Sequence, residues 1–375
     1  MQVNDRRLAI YWDERVLLND TGHAFGEVPP SPLIDVQQHH VENSDRVRDM
    51  VSVLERGPIA EHLDWRPGRL AASEEIAAVH PRGYVEEVQR FIEAGGGYIE
   101  ENTVLSAEAW VALRAAVGTS LEAVDAVMAG DATRAYALVR PPGHHAQPAQ
   151  AEGYGVFNHA AIMAERARTA GAERVAIVDW DVHHGNGTQE FFYERSDVLY
   201  VSMHMRHGTW SATHPQTGSP AEIGVGPGAG YNVNVELPLG SGDAAYQRAW
   251  HRIVAPVLEQ YEPDLLILSS GQDASAFDPN GRQNLSMAGF HALSRLFLES
   301  AERLTQGRFV AVQEGGYHLS YAPYCVHATC EGLLGRDPEL EDPIGYLPDH
   351  PDQADAAIGL VHTYLSRFWR FDNVR

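Results

Sequence analysis

"ERVAIVDWDVHHGNGTQ", residues 173–189, is the stretch on which the fold turns. Its apolar core, Val175 to Val178, reads as a strand covered on both faces, as in a parallel sheet. Directly after it, Asp179, Asp181, His183 and His184 put two carboxylates and two imidazoles within six positions. Such a strand end either carries its polar groups to something that offsets their desolvation, or it is not a buried strand at all. Residues 179, 181 and 183 share one side if the strand geometry persists. In open parallel sheets ligands bind beyond the carboxyl ends of the strands, so this is where a site belongs.

Working outward, β-rich runs alternate with segments of helical period. "RAYALV" (134–139), "DVLYVSMH" (197–204), "PDLLILSSG" (263–271) and "RFVAVQEG" (308–315) read as further strands. Between them lie helices at 159–171, 243–261, 286–304 and 321–335, with an earlier one capped by Ser106 and running to Gly130. Asp243 is the expected N-cap of its helix, and Pro256 should kink that helix. The alternation predicts one α/β/α three-layer sandwich around a mostly parallel sheet, spanning residues 1–375 as a single domain. The tail after about residue 336 is expected to pack on the outside. There is no internal repeat or linker. The Gly-rich stretches at 93–103 and 224–230 neither follow a strand nor open a helix, so they read as turns, not phosphate cradles.

Composition narrows the function. With 28 basic and 51 acidic residues the chain carries −23, which argues against direct binding to nucleic acid or anionic membrane. All basic residues are Arg, which reads as compositional bias. The two cysteines, Cys325 and Cys330, make neither a disulfide framework nor a Cys-rich metal site. The stretch "MQVNDRRLAIYWDERV" has no long apolar run, and no run elsewhere reaches transmembrane length. A reduced cytoplasm is the expected setting, and a homo-oligomer stays open.

Four strand ends share a polar, sharply turning character. They deliver His144 and His145, then Asp179, Asp181, His183 and His184, then Asp273, and finally Glu314 and Tyr317. Taken singly, each has an ordinary reading: a packed His pair, a helix-capping Asp, a buried Tyr. Taken together they point to a metal site, because two carboxylates and one imidazole with an open position suit a catalytic divalent ion such as zinc.

"RPPGHHA", "GYGVFNHAA", "DWDVHHGNGTQ", "SSGQDASAFDP" and "QEGGYHL" resemble, in the same order, motifs of the histone deacetylase superfamily. The likeness runs from about residue 9 to 335 and is closest to class II members and bacterial deacetylase-like amidohydrolases. "HHVENSDRV" is similar to that family's His-Pro-Glu-x-x-x-Arg segment, with Val41 in place of Pro. The resemblance implies an arginase/deacetylase-type α/β fold with an eight-stranded parallel sheet. It implies Asp181, His183 and Asp273 as zinc ligands (Fe(II) would suit the same donors), with His144 and His145 over the metal. Asp179 would support His144, and Asn186 would support His145. Tyr317 matches the family's carbonyl-polarising tyrosine, while Gly153 and Tyr154 match substrate-channel positions.

Asp179, Asp181, His183, Ser202 and Met203 fall where the family binds structural potassium. A peripheral potassium site would use Phe192, Val198 and Tyr231, with Arg195 at another of its positions. His214 stands where the family has an aromatic channel wall, with Trp210 nearby, and Asn280 replaces a Glu found in polyamine-preferring relatives. Glu100 or Glu101 could read a distant ammonium from another loop. The implied activity is zinc-dependent hydrolysis of an acylated amine, such as acetyl-lysine or a small acetylated amine. A two-manganese ureohydrolase of the arginase type and a non-catalytic binding protein on the same fold are the alternatives.

Overall fold

The computed structural model describes residues 7–24, 30–206, 208, 217–343, 350 and 352–371. Its strands are β1 (Leu8–Trp12), β2 (Leu63–Pro67), β3 (Gly97–Tyr98), β4 (Val104–Leu105), β5 (Arg134–Ala137), β6 (Val175–Asp179), β7 (Val198–Met205), β8 (Asn232–Leu237), β9 (Leu265–Ser270) and β10 (Phe309–Gln313). Eight of them make one sheet in the order β2-β1-β5-β10-β9-β6-β7-β8, and every neighbouring pair is parallel. The short β3 and β4 pair separately as an antiparallel hairpin.

β6 shows why this stretch can be nothing but a central strand. All five of its residues are buried. Ala176 and Val178 enter one apolar core, with the helices 45–56, 243–261, 287–304 and 322–334. Val175 and Ile177 enter the opposite core, against helices Ala109–Ala129 and His159–Thr169. A strand apolar on both faces needs a helical layer on each side, and this gives the three layers.

Three strands go beyond the runs read above. Leu8–Trp12 is buried but short, Leu63–Pro67 is an edge strand ending at a proline, and Asn232–Leu237 carries two asparagines inward. Each lies at or next to an edge of the sheet.

Several helix details differ from expectation. Residues 243–261 form two α-helical pieces, Asp243–Ala249 and Ala255–Tyr261, joined by a π-turn at Trp250–Val254. The Ala255 N–H bonds the Trp250 carbonyl, and Pro256 brings no N–H to continue the regular ladder. Asp243 is the first helical residue after Gly242, not the N-cap. Its carboxylate reaches across to accept from Ser286 N–H and Oγ–H, tying down the start of the next helix. Ser106 does not cap with its side chain; the helix starts at Ala109 and ends at Gly130, φ 83°. The tail forms Gln353–Leu365, which packs against β8 at the sheet edge.

Candidate active site

The sheet order explains the site. β5, β10, β9 and β6 are consecutive neighbours, so the four polar strand ends meet along one rim although they are far apart in sequence.

After β6, the chain makes two successive Asx turns. Asp179 Oδ1 accepts from Asp181 N–H at 3.1 Å, and Asp181 Oδ1 accepts from His183 N–H at 3.0 Å. Trp180 and Val182 therefore drop into the apolar core while 179, 181 and 183 stay on the polar side. Asp273 comes from the end of β9. One of its oxygens accepts from Val182 N–H at 2.9 Å. Asp181 Oδ2 likewise accepts from Gly315 N–H at 2.8 Å. Gly315 has to be glycine: a Cβ there would lie 2.1 Å from Asp273 Oδ2 and 2.6 Å from Asp181 Oδ2.

These ties leave one donor of each residue facing a common point. Asp181, His183 and Asp273 offer ligand atoms within 4.8 Å of one another, all buried. His183 Nδ1 is 3.2 Å from both Asp181 Oδ1 and Asp273 Oδ2. Asp273 Oδ2 is buried without a well-formed hydrogen bond. Two buried carboxylates converging on one imidazole, each braced by a backbone N–H through its other oxygen, fit a divalent ion. Without one, burial and the Asp181 charge push the Asp273 pKa up to about 7.

The tandem histidines lie beside this cluster, their ring centroids 4.1 Å apart. His144 Nδ1 is 3.0 Å from Asp179 Oδ2, which also accepts from the Tyr200 hydroxyl at 2.9 Å. Burial opposes a charge on His144, but the carboxylates of Asp181 and Asp179 prevail and push its pKa up to about 10. His145 Nδ1 is 2.8 Å from Asn186 Oδ1. Burial, with His144 and His183 nearby, holds His145 well below the usual imidazole range, so it is neutral. The two rings are electrostatically distinct despite being adjacent.

Tyr317 is clasped from three sides. Its N–H donates to Asp278 Oδ2 at 2.6 Å, the Arg46 guanidinium lies 4.3 Å over its ring, and the Tyr154 ring meets it edge-on at 5.5 Å. Arg46 also donates to the carbonyls of Gly316 and Glu314. Glu42 accepts from Arg46 and, in a bidentate fork, from Arg140 at 3.0 and 2.8 Å. This buried Glu42–Arg46–Arg140 cluster is what the "HHVENSDRV" segment builds, and Val41 does not disturb it. Glu314 Oε2 in turn accepts from the N–H groups of Gly143 and His144, joining the β5 and β10 ends. Burial pushes the Glu314 pKa up to about 7.

Glu42 is the acid between two buried guanidiniums, so Glu42→Gln should destabilise the fold by about 3–5 kcal/mol. Urea unfolding measures it. A loss under about 1 kcal/mol would mean that carbonyl acceptors alone satisfy both arginines.

Of the remaining candidate residues, Gly153 and Tyr154 form a turn beside His145 and Tyr317. Asn280 donates to the Tyr154 hydroxyl at 2.9 Å, bracing that side chain. Glu100 accepts from Asn102 N–H and the Thr103 hydroxyl within its own loop. Ser202 is the register partner of Asp179, with Met203 next along β7. The peripheral carbonyls of Phe192 and Tyr231 accept from Arg195 N–H and Tyr200 N–H. His214 and Trp210 lie outside the described residues.

The histone deacetylase domain family matches residues 40–333, a span that includes every donor described above. The chain belongs to the histone deacetylase family. It is 44% identical to histone deacetylase 8 of Arabidopsis thaliana over 97% of this chain and 98% of that one. It is 39% identical to the histone deacetylase-like amidohydrolase of Pseudomonas aeruginosa, over 90% and 89% of the two chains. The crystal structure of the HDA15 HD domain superposes with a TM-score of 0.83 at 31% identity, covering 97% of this chain and 96% of that one. The eight-stranded parallel sheet is therefore the deacetylase-type α/β fold, and deacetylase chemistry is the family's.

Glu314, Asp278 and the Glu42–Arg46–Arg140 cluster were not assigned roles from the sequence. The motifs "VAVQEGG", "SSGQDASAFDP", "RPPGHHA" and "HHVENSDRV" contain them, but no local pattern says which partner each meets.

Proposed function

We propose that this deacetylase is a zinc-dependent hydrolase of linear amides, removing an acetyl or related acyl group from acetyl-lysine or a small acetylated amine. The observation that carries it is the convergence of Asp181, His183 and Asp273 beside a neutral His145 anchored through Nδ1.

Asp181, His183 and Asp273 would hold the ion. Zinc with an open position acidifies a bound water and polarises an amide carbonyl. His145 accepts the water proton at Nε2 and later delivers it to the leaving amine. Tyr317 donates its hydroxyl proton toward the developing oxyanion. His144, its Nδ1 on Asp179, lies beside the same centre. Gly153 and Tyr154 line the approach of the substrate. Asp179, Asp181, His183, Ser202 and Met203 suit a structural potassium ion at the rim of β6 and β7.

Partners follow from charge and surface. At −23 the chain is a poor ligand for nucleic acid, and no helix among the described residues is long and apolar enough to cross a membrane. A reduced cytoplasm is the setting that suits a sequence with only two cysteines, Cys325 and Cys330.

The test is a panel of acetyl-lysine peptides, acetylpolyamines and small aryl and alkyl amides, run with metal analysis. One zinc per chain and release of a carboxylate with a free amine is the expected result. Two manganese ions per chain with urea release would replace this reading by the ureohydrolase one. Metal binding without turnover on any amide would leave a binding protein.

A further inference from the structure

Glu152 and Gly155 exchange two backbone hydrogen bonds, 2.9 and 2.8 Å, across Gly153 and Tyr154 at φ 55° and 68°. That is a two-residue turn of the I′ class. Gly153 has no substitute there, because a Cβ would fall 2.4 Å from His145 Cδ2. Tyr154 is a side-chain-bearing residue in the left-handed region, and it is held on both ends. Its N–H donates to Thr103 Oγ1 at 2.9 Å, and its hydroxyl accepts from Asn280. The turn is thus pinned against the His145 ring.

Its first side chain reaches back to the base. Glu152 Oε2 accepts from Asn186 Nδ2 at 2.9 Å, and the Gln147 side-chain amide donates to the same oxygen. Asn186 presents its Oδ1 to His145 Nδ1. The amide has two orientations, and they are chemically opposite. With Oδ1 toward the ring, Nδ1 carries the hydrogen and Nε2 keeps its lone pair. With the amide turned over, its NH₂ donates to Nδ1, the hydrogen moves to Nε2, and no proton can be accepted there. An ionised carboxylate accepts only, so Glu152 favours the first orientation and repels the second.

We propose that Glu152 is a positioning residue that selects, through Asn186, the His145 tautomer whose Nε2 can take a proton. This rests on reading His145 as the general base. It adds a carboxylate to the histidine–asparagine pair without placing a charge against the ring itself.

The experiment changes hydrogen-bond sense at position 152 and reads both turnover and tautomer, the latter from imidazole ¹⁵N shifts of labelled chain. Glu152→Gln can accept or donate, and kcat should fall a few-fold. Glu152→Lys can only donate, so the amide should turn over, the His145 signal should move to the Nε2–H form, and kcat should fall by about 10²-fold, the scale of general-base catalysis. KM should stay within about twofold, since no substrate contact is lost.

Adding Asn186→Asp to Glu152→Lys supplies an acceptor-only partner for both neighbours. It should restore the Nδ1–H form and bring kcat back at least about tenfold. A merely structural role predicts that the second substitution makes matters worse. An unchanged tautomer in Glu152→Lys, or no recovery in the double variant, overturns the proposal. The spectrum separates it from the functional reading. A wild-type chain inert on every amide, whose tautomer still follows position 152, upholds Glu152 as the selector and overturns His145 as the base.

Discussion

Asp273→Ala is expected to purify without tightly bound metal and to lose at least about 10³-fold in kcat/KM on an acetyl-lysine amide. The wild-type site has three donors on two strand ends and no fourth His, Cys, Asp or Glu in reach among the described residues. Removing one leaves a carboxylate and an imidazole, too few to hold zinc in a catalytic geometry. The fold should survive, because Asp273 sits at the rim and not between the apolar layers.

Two measurements check this. Metal analysis should find well under one ion per chain. Thermal melting with and without chelator should separate the proteins: wild type loses the stabilisation of its bound ion, about 4 kcal/mol for metal at 1,000 times Kd. Asp273→Ala should not respond to chelator at all. Full zinc occupancy with unchanged turnover would refute the ligand set.

Tyr317→Phe should keep its metal and lose about 10²–10³-fold in kcat. The substitution removes a hydroxyl and nothing that holds the loop. Asp278 still accepts the backbone N–H of residue 317, and Arg46 still has an aromatic face to lie over. Burial keeps the Tyr317 hydroxyl protonated far above neutral pH, so it is a donor throughout the working range. Because the lost interaction belongs to the transition state, kcat and kcat/KM should fall together. Steady-state kinetics on a neutral acetyl-lysine amide decides it. A variant that raises KM alone would make Tyr317 a binding residue.

How far the sequence carried the site can be judged residue by residue. Asp179, Asp181 and His183 were legible because their arrangement is local. An apolar run of four residues followed by alternating acids gives a buried strand and two Asx turns, with no help from the rest of the chain. The helix from Asp243 was legible as helix but not in detail. Its π-turn depends on how Trp250, Ile253 and Val254 pack into the core around Pro256. Asn280 shows the reverse. In the sequence it stood for a lost ammonium reader, and in the structure it braces the Tyr154 side chain.

From the sequence alone came the kinds of donor, the strands that carry them, the excess of acid over base, and enough ordered motifs to place the family. Those depend on composition, period and turn chemistry within a dozen residues. The tertiary structure decided which strand ends are neighbours, since β5 meets β10 and β9 meets β6 across more than eighty residues of chain. It also decided that Glu42 lies between Arg46 and Arg140, and that Glu152 faces Asn186. A carboxylate's partner is set by which elements pack against its own. Parallel pairing and layer packing fix that through contacts that no local pattern encodes.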